Sequence, residues 1–145
     1  MPLDVTDTLT QHWSYISEGG ASIVFSYCGP LNPDFDGTAL RLRKIAHANR
    51  ADAIPSTGLD VEEPDDPSIV FQHEVIQQLV PPEHLPRLEN VKVDRPWLEA
   101  LKVLTEERRP PERRAKDAID VSRTKAVLAT DLVGGKTLAI EIKVR

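Results

Sequence analysis

The chain has few of the residues that usually announce a protein's chemistry. Its single cysteine, Cys28, excludes an internal disulfide and argues against a thiolate metal cluster. The histidines His12, His47, His73 and His84 show no metal-ligand spacing, so no residue is assigned to a metal. No apolar run is long enough to span a bilayer. The first residues lack the basic and apolar regions of a secretory signal. The expectation is a cytoplasmic or nuclear protein with no membrane partner. Cations are outnumbered, 18 against 23 acids, for a formal net charge of −5. That balance argues against a nucleic-acid partner, whose footprint is a basic face.

What is present is one domain's length of globular sequence, 145 residues with 40% apolar and 28% charged. Its charge is uneven. Asp60–Asp66 reads DVEEPDD, and Glu106–Lys116 reads EERRPPERRAK. A net acidic chain can still carry a local site for a small anion. After a polar lead-in over 1–10, Trp13–Ile16 is a β-prone run. Ser17–Ala21 is a turn whose Gly19 and Gly20 permit positive φ and close backbone approach. Ser22–Cys28 reads as a strand, Gly29–Gly37 as a turn cluster, and Thr38–Lys44 as an alternating strand with Leu40 and Leu42 on one face and Ala39, Arg41 and Arg43 on the other. Residues 45–67 read as a mobile surface loop. Ser68–Leu79 has helical spacing, with Ile69, Val75, Ile76 and Leu79 as its apolar stripe. A short strand is expected near Val91–Val93 and a short helix over Pro96–Leu104. Arg108–Lys116 looks too charged for an interior element. Lys125–Thr130 and Thr137–Lys143 are further strands, joined by a turn at Gly134–Gly135. Cys28 reads as a buried small apolar residue.

Three features could act together. The glycine turn can bring bare N–H groups to phosphate oxygens because no Cβ intervenes. Arg41, on the third strand, can supply a cation to nucleotide phosphates, with Glu74 on the following helix as its carboxylate partner. Glu141 and Lys143 sit on one face of the last strand. Each also has a plainer reading. Gly-Gly between strands is commonly an ordinary hairpin, Arg41 a solvated sheet residue, and Glu141–Lys143 a surface ion pair worth under about 1 kcal/mol.

Joined in order, WSYISEGGASIVFSY (13–27), LRLRK (40–44), HEVIQQLVPPEHLP (73–86), RPPER (109–113), VLATD (127–131) and EIK (141–143) resemble the amino-terminal lobe of the inositol-pentakisphosphate 2-kinase family, from about Trp13 to Lys143. The resemblance implies an α+β, protein-kinase-like lobe: a small antiparallel sheet with a packed helix. It implies transfer of the γ-phosphoryl of ATP, with Mg²⁺, to the axial 2-hydroxyl of inositol 1,3,4,5,6-pentakisphosphate, giving inositol hexakisphosphate (phytate). Carried over by residue, Gly19, Gly20, Ala21, Ser22 and Val24 would line the nucleotide. Ser22 stands where the family usually has Asn. Arg41 and Lys143 would be the catalytic cations on the phosphates. Thr130, Asp131 and Leu132 would form the hinge at adenine, Glu141 would meet the nucleotide, and Arg113 would reach the inositide. The family's EIKPK here reads Glu141-Ile142-Lys143-Val144-Arg145, with Arg145 replacing the second inositide-binding lysine.

In the family the metal-binding acid belongs to a second, larger lobe. Residues 1–145 are therefore expected to be an ATP-binding lobe lacking its C-lobe, with little turnover alone, and the complete enzyme to be a monomer. Two alternatives remain: a non-catalytic kinase-like lobe that binds nucleotide or a partner, and a β-rich binding module whose glycine turn is only a hairpin.

Overall fold

The computed structural model describes residues 3–48 and 66–131. Strands β1 (Leu3–Asp4), β2 (Trp13–Glu18), β3 (Ser22–Tyr27), β4 (Thr38–Ala46), β5 (Leu88–Lys92), β6 (Asp117–Ile119) and β7 (Lys125–Thr130) form one seven-stranded sheet in the order β1-β5-β7-β4-β3-β2. Long β4 serves two partners on one edge: its Thr38–Arg41 stretch pairs with β7, and Lys44–Ala46 pairs with β6. The sheet is antiparallel, as expected, except where β1 joins β5 in parallel.

Period-two patterning sorts the two faces. Ile23, Phe25, Leu40, Leu42, Val91 and Leu128 share one core with Trp97, Leu98 and Leu101. Those last three come from helix α3, which follows α1 (Pro67–Phe71) and α2 (Gln77–Leu79) and spans Arg95–Thr105. Asp94 caps α3 by accepting the N–H of Trp97 at 2.9 Å, and a proline sits in its first turn. The polar lead-in proves structural, because Val5 is fully buried in this core. On the other face, register places Val24 opposite Arg41, Arg41 opposite Val127, and Val127 opposite Asn90. This row crosses the sheet beneath α1.

Several expectations need correction. The 67–79 segment is helical, but Gln72–Ile76 between α1 and α2 is a π-helical turn. That wider turn breaks the 3.6-residue period. Of the expected stripe only Ile69 is buried, while Val75 and Leu79 are exposed. The expected 45–67 loop narrows at both ends, since Ile45 and Ala46 finish β4 and Pro67 begins α1; residues 49–65 lie outside the described residues. Arg108–Lys116 contains a short helix, α4 (Pro111–Lys116), and Arg109 is buried. Cys28 is exposed just beyond β3.

Candidate functional site

A cleft of about 630 Å³ opens on the face opposite the core, lined by Gly20, Ala21, Arg41, Arg43, Asp66, Asn90, Arg123 and Lys125 among others. Alternation on β4 aims Arg41 and Arg43 into it, for the same reason that Leu40 and Leu42 are buried behind it. A net acidic chain thus gathers five basic residues, Arg41, Arg43, Lys44, Arg123 and Lys125, around one concave face, which is the electrostatic signature of an anion site. The expected partner of Arg41 was Glu74, but Glu74 is exposed on the helix. Arg41 instead reaches the start of α1. Its Nη2 donates to Ser68 Oγ at 2.6 Å and lies 3.6 Å from Asp66 Oδ1. Arg43 pairs with the other oxygen of Asp66. Asp66 also caps α1 by accepting the N–H of Ser68 at 2.9 Å. Burial raises its carboxyl pKa, but the bonds from Ser68 and Arg43 prevail and hold it below its usual value. One carboxylate therefore fixes both cleft arginines and the helix.

The turn at the cleft mouth is tight. Gly19 donates to Ser22 O at 2.9 Å, and Lys44 N–H donates to Ala21 O at 3.0 Å. The turn does not use the positive φ that Gly19 and Gly20 permit; among the described residues only Gly37, at φ +70°, adopts it. A Cβ at Gly19 or Gly20 would meet nothing within 4 Å. Among the described residues nothing therefore demands glycine there. What the bare backbone leaves open is the approach from outside.

Beneath the turn lies a cluster that motif reading missed. Glu18, with a side chain 2% exposed, is clasped by Arg109, whose Nε and Nη2 each donate at 3.0 Å. Lys44 Nζ reaches the same carboxylate at 2.9 Å and Asp117 Oδ2 at 3.2 Å. Arg109 Nη2 also donates to Asp117 Oδ1 at 2.6 Å. Two acids and two bases thus share one buried network. Burial pushes the Glu18 carboxyl pKa up, but the hydrogen bonds and charges of Arg109 and Lys44 outweigh it and hold the value at about 2. Burial lowers the Arg109 pKa, and the two carboxylates more than reverse this, leaving it raised. The available sequence signal was the set of residues left over within the quoted motifs: the Glu of WSYISEGGASIVFSY, the Lys of LRLRK and the first Arg of RPPER.

The other expected site residues divide. Gly20, Ala21 and Arg41 line the cleft together; Gly19, Ser22 and half-buried Val24 adjoin it. Arg113, on α4, donates from Nη1 to Gly19 O at 3.2 Å, beside the turn. Thr130 and Asp131 sit farther along β7, with Thr130 opposite Thr38. Their N–H groups are used within the lobe, by Arg87 O at 3.0 Å and Gly37 O at 2.9 Å, and Ser26 Oγ donates to the Asp131 carboxylate. Leu132, Glu141, Lys143 and Arg145, with the expected strand 137–143, lie outside the described residues. Among the described residues no group of three or more His, Cys, Asp or Glu side chains could hold a metal ion, and no helix is long and apolar enough to cross a membrane.

Residues 15–144 match the family model described as inositol-pentakisphosphate 2-kinase. Two curated relatives of that name, from two strains of Cryptococcus neoformans var. neoformans serotype D, are each 31% identical over 150 residues, covering 98% of this chain and 34% of the relative. The chain spans about a third of the length of these relatives.

Proposed function

The chain belongs to the inositol-pentakisphosphate 2-kinase family, and from that premise we propose that it forms the ATP-binding lobe of a kinase-like fold that phosphorylates inositol 1,3,4,5,6-pentakisphosphate at its 2-hydroxyl. The observation that carries this reading is the cationic cleft under an open Gly19–Gly20 turn. The turn lies over the phosphates of ATP. Arg41, assisted by Arg43, offsets their charge, and Lys143 adds a second cation. Thr130, Asp131 and Leu132 take the base end. Because the N–H groups of Thr130 and Asp131 are already donated, donation to adenine falls to Leu132 or beyond.

Transfer is in line. The 2-hydroxyl oxygen bonds to the γ-phosphorus and gives up its proton to solvent as the bond to the β–γ bridging oxygen breaks and ADP departs, with no covalent enzyme intermediate. Arg113, already beside the turn, and Arg145 face the inositide. Acids beyond the described residues would hold magnesium, which would supply charge neutralisation for the phosphates. The enzyme works as a monomer in cytoplasm or nucleus.

Isothermal titration of the full chain with ATP and magnesium tests the binding half of the reading; absence of binding at millimolar ATP refutes it. A radiolabelled-ATP assay with inositol pentakisphosphate tests the other half. Little product is expected from these 145 residues, and robust turnover would contradict the assignment of the metal-binding acids elsewhere.

A further inference from the structure

Each of three quoted motifs contains a residue to which the nucleotide reading gives no ligand: Glu18 in WSYISEGGASIVFSY, Lys44 in LRLRK and Arg109 in RPPER. They come from β2, β4 and the segment before α4, with 91 positions separating Glu18 from Arg109. All three meet in one network with Asp117 of β6, and their side chains are 1–2% exposed. The network sits directly below the glycine turn. Glu18 is the residue before Gly19, and its carboxylate takes both prongs of the Arg109 fork. The backbone of Lys44 closes the other side of the turn through its bond to Ala21 O at 3.0 Å. Arg109 is itself fixed by Asp117, through the carboxylate and through the carbonyl at 2.8 Å, so it cannot swing without giving up both bonds.

Gly19 and Gly20 bring no side chain to pack, so the turn is held only by its backbone bonds and by what fixes the residues on either side of it. We infer that Arg109 is a positioning residue that, through Glu18, holds the Gly19–Ala21 backbone at a fixed height over the cleft and so sets how tightly the lobe grips nucleotide phosphates. The inference rests on the nucleotide reading above for its ligand, but not for the anchoring itself. Arg109 touches no phosphate. It acts on the donors that do.

The test uses the full chain with two variants, Arg109→Lys, which keeps the charge but loses the fork, and Glu18→Gln, which keeps the shape. Amide hydrogen exchange is read at Gly19 and Lys44, whose N–H groups close the turn, with Phe25 and Leu40 in the core strands as controls. Titrations with ATP and with AMP run in parallel. Expected is about tenfold faster exchange at Gly19 and Lys44 that is insensitive to low urea, while Phe25 and Leu40 change only by the loss of global stability, and about tenfold weaker ATP binding with AMP binding unaltered. Unchanged exchange at Gly19 and Lys44 in both variants overturns the anchoring. Equal losses for ATP and AMP, or faster exchange at Phe25 and Leu40 in step with the turn, overturn it in favour of a purely structural cluster. So does failure of both variants to fold. If the unaltered chain binds no ATP, the nucleotide reading falls, and the exchange data still decide whether Arg109 holds the turn.

Discussion

Acid should expose the buried cluster. The Glu18 side chain is 2% exposed, and its carboxyl pKa is lowered from 4.5 to about 2 by Arg109 and Lys44 acting against burial. A carboxyl depressed on folding adds stability that is complete above its unfolded pKa and is lost as pH falls towards the folded one. A fall of that size is worth about 3 kcal/mol in full, of which about 2 kcal/mol is gone by pH 3 relative to pH 7. Asp66, also held low, slopes the same way, so the comparison must isolate Glu18. Glu18→Gln strands two buried cations and should cost about 3–5 kcal/mol at pH 7. At pH 3 the gap between the unaltered chain and the variant should shrink by about 2 kcal/mol. Urea unfolding followed by the fluorescence of buried Trp13 and Trp97 measures both. A gap of equal size at the two pH values would refute the claim that charge, rather than shape, holds Glu18.

Other perturbations separate the site from the scaffold. Gly20→Ala should leave stability unchanged or raise it by up to about 1 kcal/mol, because the new Cβ meets nothing within 4 Å. It should still weaken ATP binding by crowding the phosphates; equal ATP affinity would reduce the turn to a hairpin. Arg41→Ala removes a 35%-exposed side chain, so the melting temperature should barely move while ATP affinity falls by about 1.5–3 kcal/mol in calorimetry. Asp66→Asn should leave the capping of α1 nearly unchanged, because Asn caps about as well as Asp, yet strengthen ATP binding, since it removes a carboxylate that competes for Arg41 and Arg43. Weaker binding in that variant would mean that Asp66 orients the arginines rather than competes for them.

The parts of this lobe that were legible in sequence are those whose signal is local. The alternation of Leu40 and Leu42 with Arg41 and Arg43 is a period of two, and a half-buried strand admits no other arrangement. β-branched and aromatic content gave β3, and a short apolar run gave β7. The stripe on 67–79 misled because a π-helical turn at Gln72–Ile76 changes the angle between residues, and periodicity cannot reveal that in advance. Arg109 was unreadable for a different reason. A cation in a proline-broken basic run is a surface residue by composition, and only the fold brings Glu18 and Asp117 to it. The exchange of Glu74 for Asp66 follows the same pattern. Both flank the helix, but the cap position points its carboxylate at the cleft, whereas Glu74 faces solvent. Cys28 ended outside because the strand stops one residue before it.

The central claim is that Gly19–Ala21 and Arg41 form one phosphate-binding edge. Amide chemical-shift mapping of the full chain with ATP and magnesium tests it directly. The account predicts the largest shifts at Gly19, Gly20, Ala21 and Arg41, with little change along α3 behind the sheet. Shifts centred elsewhere, or none at millimolar ATP, would contradict it.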